Sequence, residues 1–197
     1  MKKILCFTTF LIIILSNIGK VHSIEADIFV QSTVNRASEA LNDRFSKDEK
    51  IEKLKEIASD TVDIDGIGRY TLGSYKNEIT NIQMREYKIL FRQYFLKSFA
   101  SRLAEYSNPE IEVISKKKLN KNYTMVSSIL VSTKKRPEVK IDWRVSTKDP
   151  KNPLIINLVI EGLSLARTQK EEFSSIIQSN GGDINALFEN LRGFSNK

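Results

Sequence analysis

The sequence predicts an α+β domain in which helices pack on one face of a four-stranded, antiparallel, twisted sheet. Three observations lead there. The stretch 80–106 sets Tyr87, Leu90, Phe91, Tyr94, Phe95, Phe99, Leu103 and Tyr106 at steps of three and four, the period of a helix. Beyond Pro109 the apolar residues recur at steps of two, the period of a strand. Helix signals return only after Gly162, so strands and helices are segregated along the chain rather than alternating, as α+β domains require.

The elements follow in order. Residues 26–42 carry Phe29, Val30, Val34, Ala37 and Leu41 on one helical side. Ser46, followed three residues on by Glu49, is a capping box opening a helix through Ala58, with Ile51, Leu54 and Ile57 turned inward. The segment 62–75, VDIDGIGRYTLGSY, mixes Gly66, Gly68 and Gly73 with aromatics, which suggests a tight helical turn pressed close to another backbone. Thr80 with Gln83 caps the long helix, which would run roughly 40 Å at 1.5 Å per residue.

Strands are expected at 110–119 and 123–133, joined by Asn120-Lys121-Asn122. Segment 137–147 alternates Val139, Ile141, Trp143 and Val145 against Lys140, Asp142, Arg144 and Ser146. In segment 154–161, Leu154, Ile156, Leu158 and Ile160 share a face opposite Ile155 and Val159. Four strands with short links make a meander, one face wet and one covered by helices. Gly162 ends the sheet. Thr168 with Glu171 reads as the capping box of a helix bearing Phe173, Ile176 and Ile177; Gly181-Gly182 stops it. Asp183 then caps a last helix through Ile184, Leu187, Phe188 and Leu191.

The first 23 residues have the layout of a secretory signal peptide: two lysines, an apolar run from Ile4 to Ile18, and Val21 and Ser23 at −3 and −1 of a cleavage site. The apolar run is short for a membrane span, and Cys6 precedes it, unlike a lipoprotein cysteine. The expected organisation is therefore a cleaved segment 1–23 and a single domain 24–197. Cleavage removes the only cysteine, Cys6, and the only histidine, His22. The 174 residues left can build no cysteine nucleophile, Ser-His-Asp triad, disulfide, or His/Cys metal site.

Gly162-Leu163-Ser164-Leu165-Ala166 lacks the second glycine and the base of a nucleophile elbow. Asp63-Ile64-Asp65-Gly66 begins like a calcium loop without its later ligands. Paired-carboxylate hydrolysis is the one enzyme class left, and no spacing brings two carboxylates together. No catalytic residue, cofactor or metal is expected.

Cleavage also takes three of the 31 basic residues, leaving 28 against 24 acidic ones, a net of +4. Lysine clusters at 116–118 and 134–136 fall at hairpin ends. They read either as solvated turn residues or as docking points for an acidic partner or anionic headgroups. The aromatic face of 80–106 likewise has two readings, the domain's own core or the wall of an apolar cavity.

Two motifs separate these readings. Arg69-Tyr70-Thr71-Leu72-Gly73-Ser74-Tyr75 resembles the R-F-T-L-G-R-Y signature of the toluene-tolerance family, which includes the periplasmic phospholipid-binding (MlaC) proteins of the Mla system for maintenance of lipid asymmetry. Residues 159–165, VIEGLSL, and 170–173, KEEF, are similar to that family's v-x-E-G-v-S-l and R-x-E-F. The likeness runs through the whole of 24–197. Lys76 stands where the family has Trp, Asn157 where Asp is frequent, and Lys170 where it has Arg.

The resemblance implies a soluble carrier in the periplasm of a Gram-negative bacterium. Its cargo would be phospholipid, held by the acyl chains between sheet and helices with the headgroup near solvent. Its partners would be an outer-membrane lipoprotein complex and an inner-membrane ABC transporter with an MCE-domain subunit, not nucleic acid. It would change no bond. On that footing Phe91, Phe95, Phe99 and Leu103 form the helix wall of the cavity. Val139, Ile141, Trp143, Val145, Leu158 and Ile160 form the sheet wall, and Ile67, Tyr70 and Leu72 close an end, with ordinary core as the other reading of each; Arg69 either reaches a phosphate or pairs with a nearby Asp or Glu. A binding protein for a quinone, sterol or hopanoid, and a ligand-free envelope interaction protein, are the other function classes.

Overall fold

A computed structural model describes residues 24–134 and 136–195. The expected signal segment, with Cys6 and His22, lies outside the described residues. Helix α1 (Ala26–Ala40) is followed by α2 (Lys47–Thr61), α3 (Ile64–Thr71), a 3-10 turn (Tyr75–Asn77) and α4 (Asn81–Leu103). Strands β1 (Ile111–Asn120), β2 (Tyr123–Leu130), β3 (Val139–Ser146), β4 (Leu154–Ile160) and β5 (Leu163–Ser164) come next, then α5 (Leu165–Ser179) and α6 (Ile184–Ser195). Every neighbouring strand pair is antiparallel and the order is β1-β2-β3-β4-β5, a meander.

Two of the expected capping boxes form in full. Ser46 and Glu49 open α2, and Thr80 and Gln83 open α4. Each satisfies otherwise orphaned backbone N–H groups, and loss of such a cap costs about 1 kcal/mol. At the other end of the chain, Asp183 accepts from the Asn185 backbone N–H at 2.9 Å as α6 begins.

Two expectations need correction. The sheet has five strands, because Glu161 (φ 48°) and Gly162 (φ 81°) make a tight turn instead of ending it. Consecutive positive φ values match the twist of a two-residue hairpin, so Leu163 and Ser164 return beside Ile160 and Val159. Ser164, not Thr168, then caps α5, its Oγ accepting from the Arg167 N–H at 3.3 Å. Buried Asn157 holds this junction by donating to Ser164 Oγ at 2.8 Å and accepting from Ala166 N at 3.1 Å.

The buried side chains form three clusters. One gathers α3, the first half of α4, α5 and α6 around Tyr87, Phe91, Phe173 and Phe188. A second joins the end of α1, α2 and the end of α4 through Leu41, Leu54, Ile57, Ala100 and Ala104. The third lays Ala26, Val30 and Val34 of α1 on Val126 and Val145 of the sheet.

The helices packed closely on strands are α1, α3 and α5, whereas the close neighbours of α4 are α2, α3 and α6. The long helix is thus joined to the sheet through α1 at one end and through α3 and α5 at the other. The backbone at the α2–α3 junction tightens the second link, with Asp63 N donating to Ile155 O at 2.9 Å and Val62 bridging Ile155.

Candidate functional site

The register decides which sheet face meets the helices. Val126 and Val145 pack under α1. Directly opposed residues, and residues two apart on a strand, share a face. Val126 faces Trp143, Thr124 faces Val145, Ser128 faces Ile141 and Leu130 faces Val139. One strand further, Trp143 faces Leu158 and Ile141 faces Ile160. All six sheet residues singled out from sequence, Val139, Ile141, Trp143, Val145, Leu158 and Ile160, therefore lie on the helix-covered face.

They are not packed equally. Val145 is fully buried and Ile141 nearly so. Val139, Trp143, Leu158 and Ile160 are part-exposed. The indole N–H of Trp143 donates to Ser128 Oγ at 2.8 Å, and Ser128 is itself buried. That polar anchor fixes the ring while leaving part of its surface open. Ser128 and Leu130 complete this face. Sequence periodicity missed them, because 123–133 does not alternate cleanly there.

On α4 the aromatic run divides in two. Phe91 is 2% exposed and belongs to the all-helical cluster, 5.7 Å from the Tyr87 ring and 6.1 Å edge-on from Phe173. A Cβ at Gly68 would fall 2.8 Å from Phe91 Cδ1, so α3 can approach α4 this closely only through glycine. Phe95, Phe99 and Leu103 are part-exposed. The Phe95 and Phe99 rings stack at 5.7 Å and 7°. Phe95 leans on the all-helical cluster and Leu103 on the second cluster. Phe99 stands between them, a part-exposed aromatic on the stretch of helix that spans the two links to the sheet.

The residues meant to close an end sit at α3. Ile67 and Leu72 are buried in the all-helical cluster, while Tyr70 is 47% exposed. The rest of this motif is structural. Thr71 Oγ1 donates to Gly68 O at 2.8 Å and shares a hydrogen bond with the Tyr87 hydroxyl, also 2.8 Å long. Burial pushes the Tyr87 phenol far above its ordinary value, so the group stays neutral. Burial also raises Tyr94, whose hydroxyl donates to Gln169 at 2.9 Å.

Gly73 takes φ 60°, and the Lys170 chain runs past it to set its ammonium 5.5 Å from the Tyr70 ring centroid. The Arg69 side chain is exposed and, among the described residues, makes no hydrogen bond or ion pair. The described residues contain no group of three or more His, Cys, Asp and Glu able to hold a metal, and no helix long and apolar enough to cross a membrane.

A five-stranded antiparallel meander, with α1 at one side and α3 and α5 at the other, and with part-exposed apolar side chains on α4 and on the covered sheet face, defines the class as a helix-roofed α+β domain. The family model described as MlaC protein matches residues 31–193, and the chain belongs to the MlaC family. No curated protein matches the sequence. Among solved structures, the chain resembles the phospholipid-binding protein from Ralstonia solanacearum, determined in complex with a phospholipid. The TM-score is 0.73 at 19% identity, over 87% of this chain and 97% of that one.

Proposed function

We propose that the protein carries phospholipid, holding acyl chains between α4 and the helix-facing side of the sheet. The observation that carries the reading is the part-exposed apolar lining, Phe95, Phe99 and Leu103 on the helix and Val139, Trp143, Leu158 and Ile160 on the sheet, in a chain of the MlaC family. The phospholipid bound by the Ralstonia protein of like fold supports it. Ile141 and Val145 underlie the sheet wall, and Phe91, Ile67 and Leu72 back the helix wall from the all-helical core. Arg69 and Tyr70, exposed at the end of α3, are surface contacts for a partner.

Acyl chains ask for an apolar enclosure and no acid, base or nucleophile. Two chains hold roughly 30 methylenes, each worth about 0.8 kcal/mol between water and an apolar site. That sum passes the ceiling for non-covalent affinity, so it is not the binding energy. The relevant exchange is between bilayer and protein, both apolar, where the difference is small and transfer runs either way.

The carrier works as a shield in transit. After loss of residues 1–23 it moves through the periplasm between an outer-membrane lipoprotein complex and an inner-membrane ABC transporter with an MCE-domain subunit. It needs no cofactor and performs no chemistry on its cargo. Residues 24–197, exported to the periplasm, purified without detergent and extracted with organic solvent, should yield near-stoichiometric phospholipid by mass spectrometry. A folded, lipid-free protein that also takes up no lipid from vesicles would overturn the proposal. An extract dominated by quinone, sterol or hopanoid would keep the enclosure and change the cargo.

A further inference from the structure

The loop between β2 and β3 brings a cation to the end of the apolar lining. The last opposed pair of these strands is Leu130 and Val139, on the helix-facing side. Beyond it the loop narrows, Thr133 N donating to Arg136 O at 2.8 Å and Arg136 N to Thr133 O at 3.2 Å. The Arg136 guanidinium then reaches across to α4's end, its carbon 5.1 Å from the centroid of the Tyr106 ring. Tyr106 packs with Leu103 on the second cluster. Arg136 and Tyr106 thus strap the tip of the sheet to the end of the helix, next to Leu103, Leu130 and Val139.

The guanidinium is underused for a group so placed. Nη2 has the Val131 carbonyl at 3.4 Å, a long contact. Nε is buried and unpartnered, and Arg136 forms no ion pair among the described residues. A buried N–H without an acceptor is costly, and such groups are few in folded proteins. Nε and Nη2 together form one edge of the guanidinium, the fork that takes two oxygens of a phosphate in parallel. Stacking on Tyr106 holds the plane in place without using that edge.

The geometry points to Arg136 as the phosphate-binding residue of this protein, its Nε–Nη2 edge taking the phosphodiester oxygens of a lipid whose chains enter between α4 and the sheet. The inference rests on the carrier reading and adds to it a selectivity: the site discriminates phosphate-bearing lipids from neutral lipids with identical chains. A free phosphate ion would present the same oxygens without the chains that bring them to the site.

The test uses residues 24–197 stripped of lipid, wild type and Arg136→Gln, offered vesicles doped with a phospholipid or with diacylglycerol of the same acyl chains, or inorganic phosphate alone. Native mass spectrometry reads the load. Wild type should prefer the phospholipid by about 10- to 100-fold, the worth of hydrogen bonds to a charged group. Arg136→Gln should lose that preference while its diacylglycerol load holds. Arg136→Lys, which keeps the charge and loses the fork, should recover only part of it. Inorganic phosphate should bind neither protein detectably.

Equal loading of both lipids by wild type, an undiminished preference in Arg136→Gln, or Arg136-dependent binding of inorganic phosphate without lipid discrimination would each overturn the inference. Failure of wild type to load either lipid would instead strike the carrier reading. Should Arg136→Gln fail to fold, Tyr106→Leu, which frees the guanidinium from its stack, should lower the preference with the charge intact. An unchanged preference there counts against the strap.

Discussion

Phe91 and Phe99 are the same residue type two turns apart on one helix, yet one is closed in and the other part-exposed. Phe91 is closed in by Tyr87, Phe95, Phe173 and the glycine backbone of α3. Phe99 meets Phe95 on one side and stays part-exposed. Phe91→Ala should cost about 3–5 kcal/mol in urea unfolding, as expected for a buried aromatic whose space cannot collapse. Phe99→Ala should cost about 1 kcal/mol, since only part of its ring area leaves water on folding, and should lower the lipid load of the purified protein. Equal stability losses, with the load of Phe99→Ala unchanged, would make the two rings plain core alike. Periodicity put both residues on one face, which is as far as it reaches; which neighbour fills the space opposite is set by helices seventy and more residues later. For the same reason Arg136 read as part of a basic turn, because its contact with Tyr106 joins elements thirty residues apart.

At the scale of elements, α1 depends on a charged clasp. Lys116 of β1 bonds Glu25 at 2.8 Å and Asp27 at 2.9 Å, at the very start of the helix. The Lys116 hydrogen bond, foremost, holds the Asp27 carboxyl below the usual carboxylate range, and the two carboxylates raise the Lys116 ammonium above its own. A depressed carboxyl adds stability that is fully present above its unfolded value, about 3.9, and is lost as pH falls through the lower folded one. The raised ammonium adds stability that is present below the unfolded lysine value and lost as pH rises through the folded one. Hydrogen-exchange protection of the first turn of α1 should therefore fall between about pH 6 and about pH 2, ahead of the middle of α4. Lys116→Gln should lower the protection at the upper pH and remove its pH dependence. Protection that ignores both the pH and the substitution would leave the clasp without a role. Local chemistry of this kind was legible beforehand where it was short-ranged, as at the Ser46–Glu49 and Thr80–Gln83 caps. It was not legible at β5, where a two-residue strand has no period and Glu161-Gly162 lacks the Asn or Asp that usually marks such a turn.

Taken whole, the buried apolar residues of the molecule fall into three clusters rather than one. The backbone of α4 comes nearest α2, α3 and α6, while α1, α3 and α5 come nearest the strands. The order of elements, the meander and the wet and covered sheet faces were readable from the two hydrophobic periods. Which apolar residues are closed in and which stay part-exposed was not, since periodicity places a residue on a face without fixing how far its neighbours cover it.

The chain's only tryptophan offers the most direct test of the proposed binding site between α4 and the sheet. Trp143 is anchored by Ser128 on the helix-facing side of β3, part-exposed beside Leu158. Protein loaded with a phospholipid brominated along its acyl chains should show strongly quenched Trp143 fluorescence. The same protein loaded with unbrominated lipid should shield the indole from aqueous iodide. Confirmed phospholipid loading with no quenching at any bromine position, and an indole as open to iodide as before, would place the acyl chains elsewhere and contradict a binding site between α4 and the sheet.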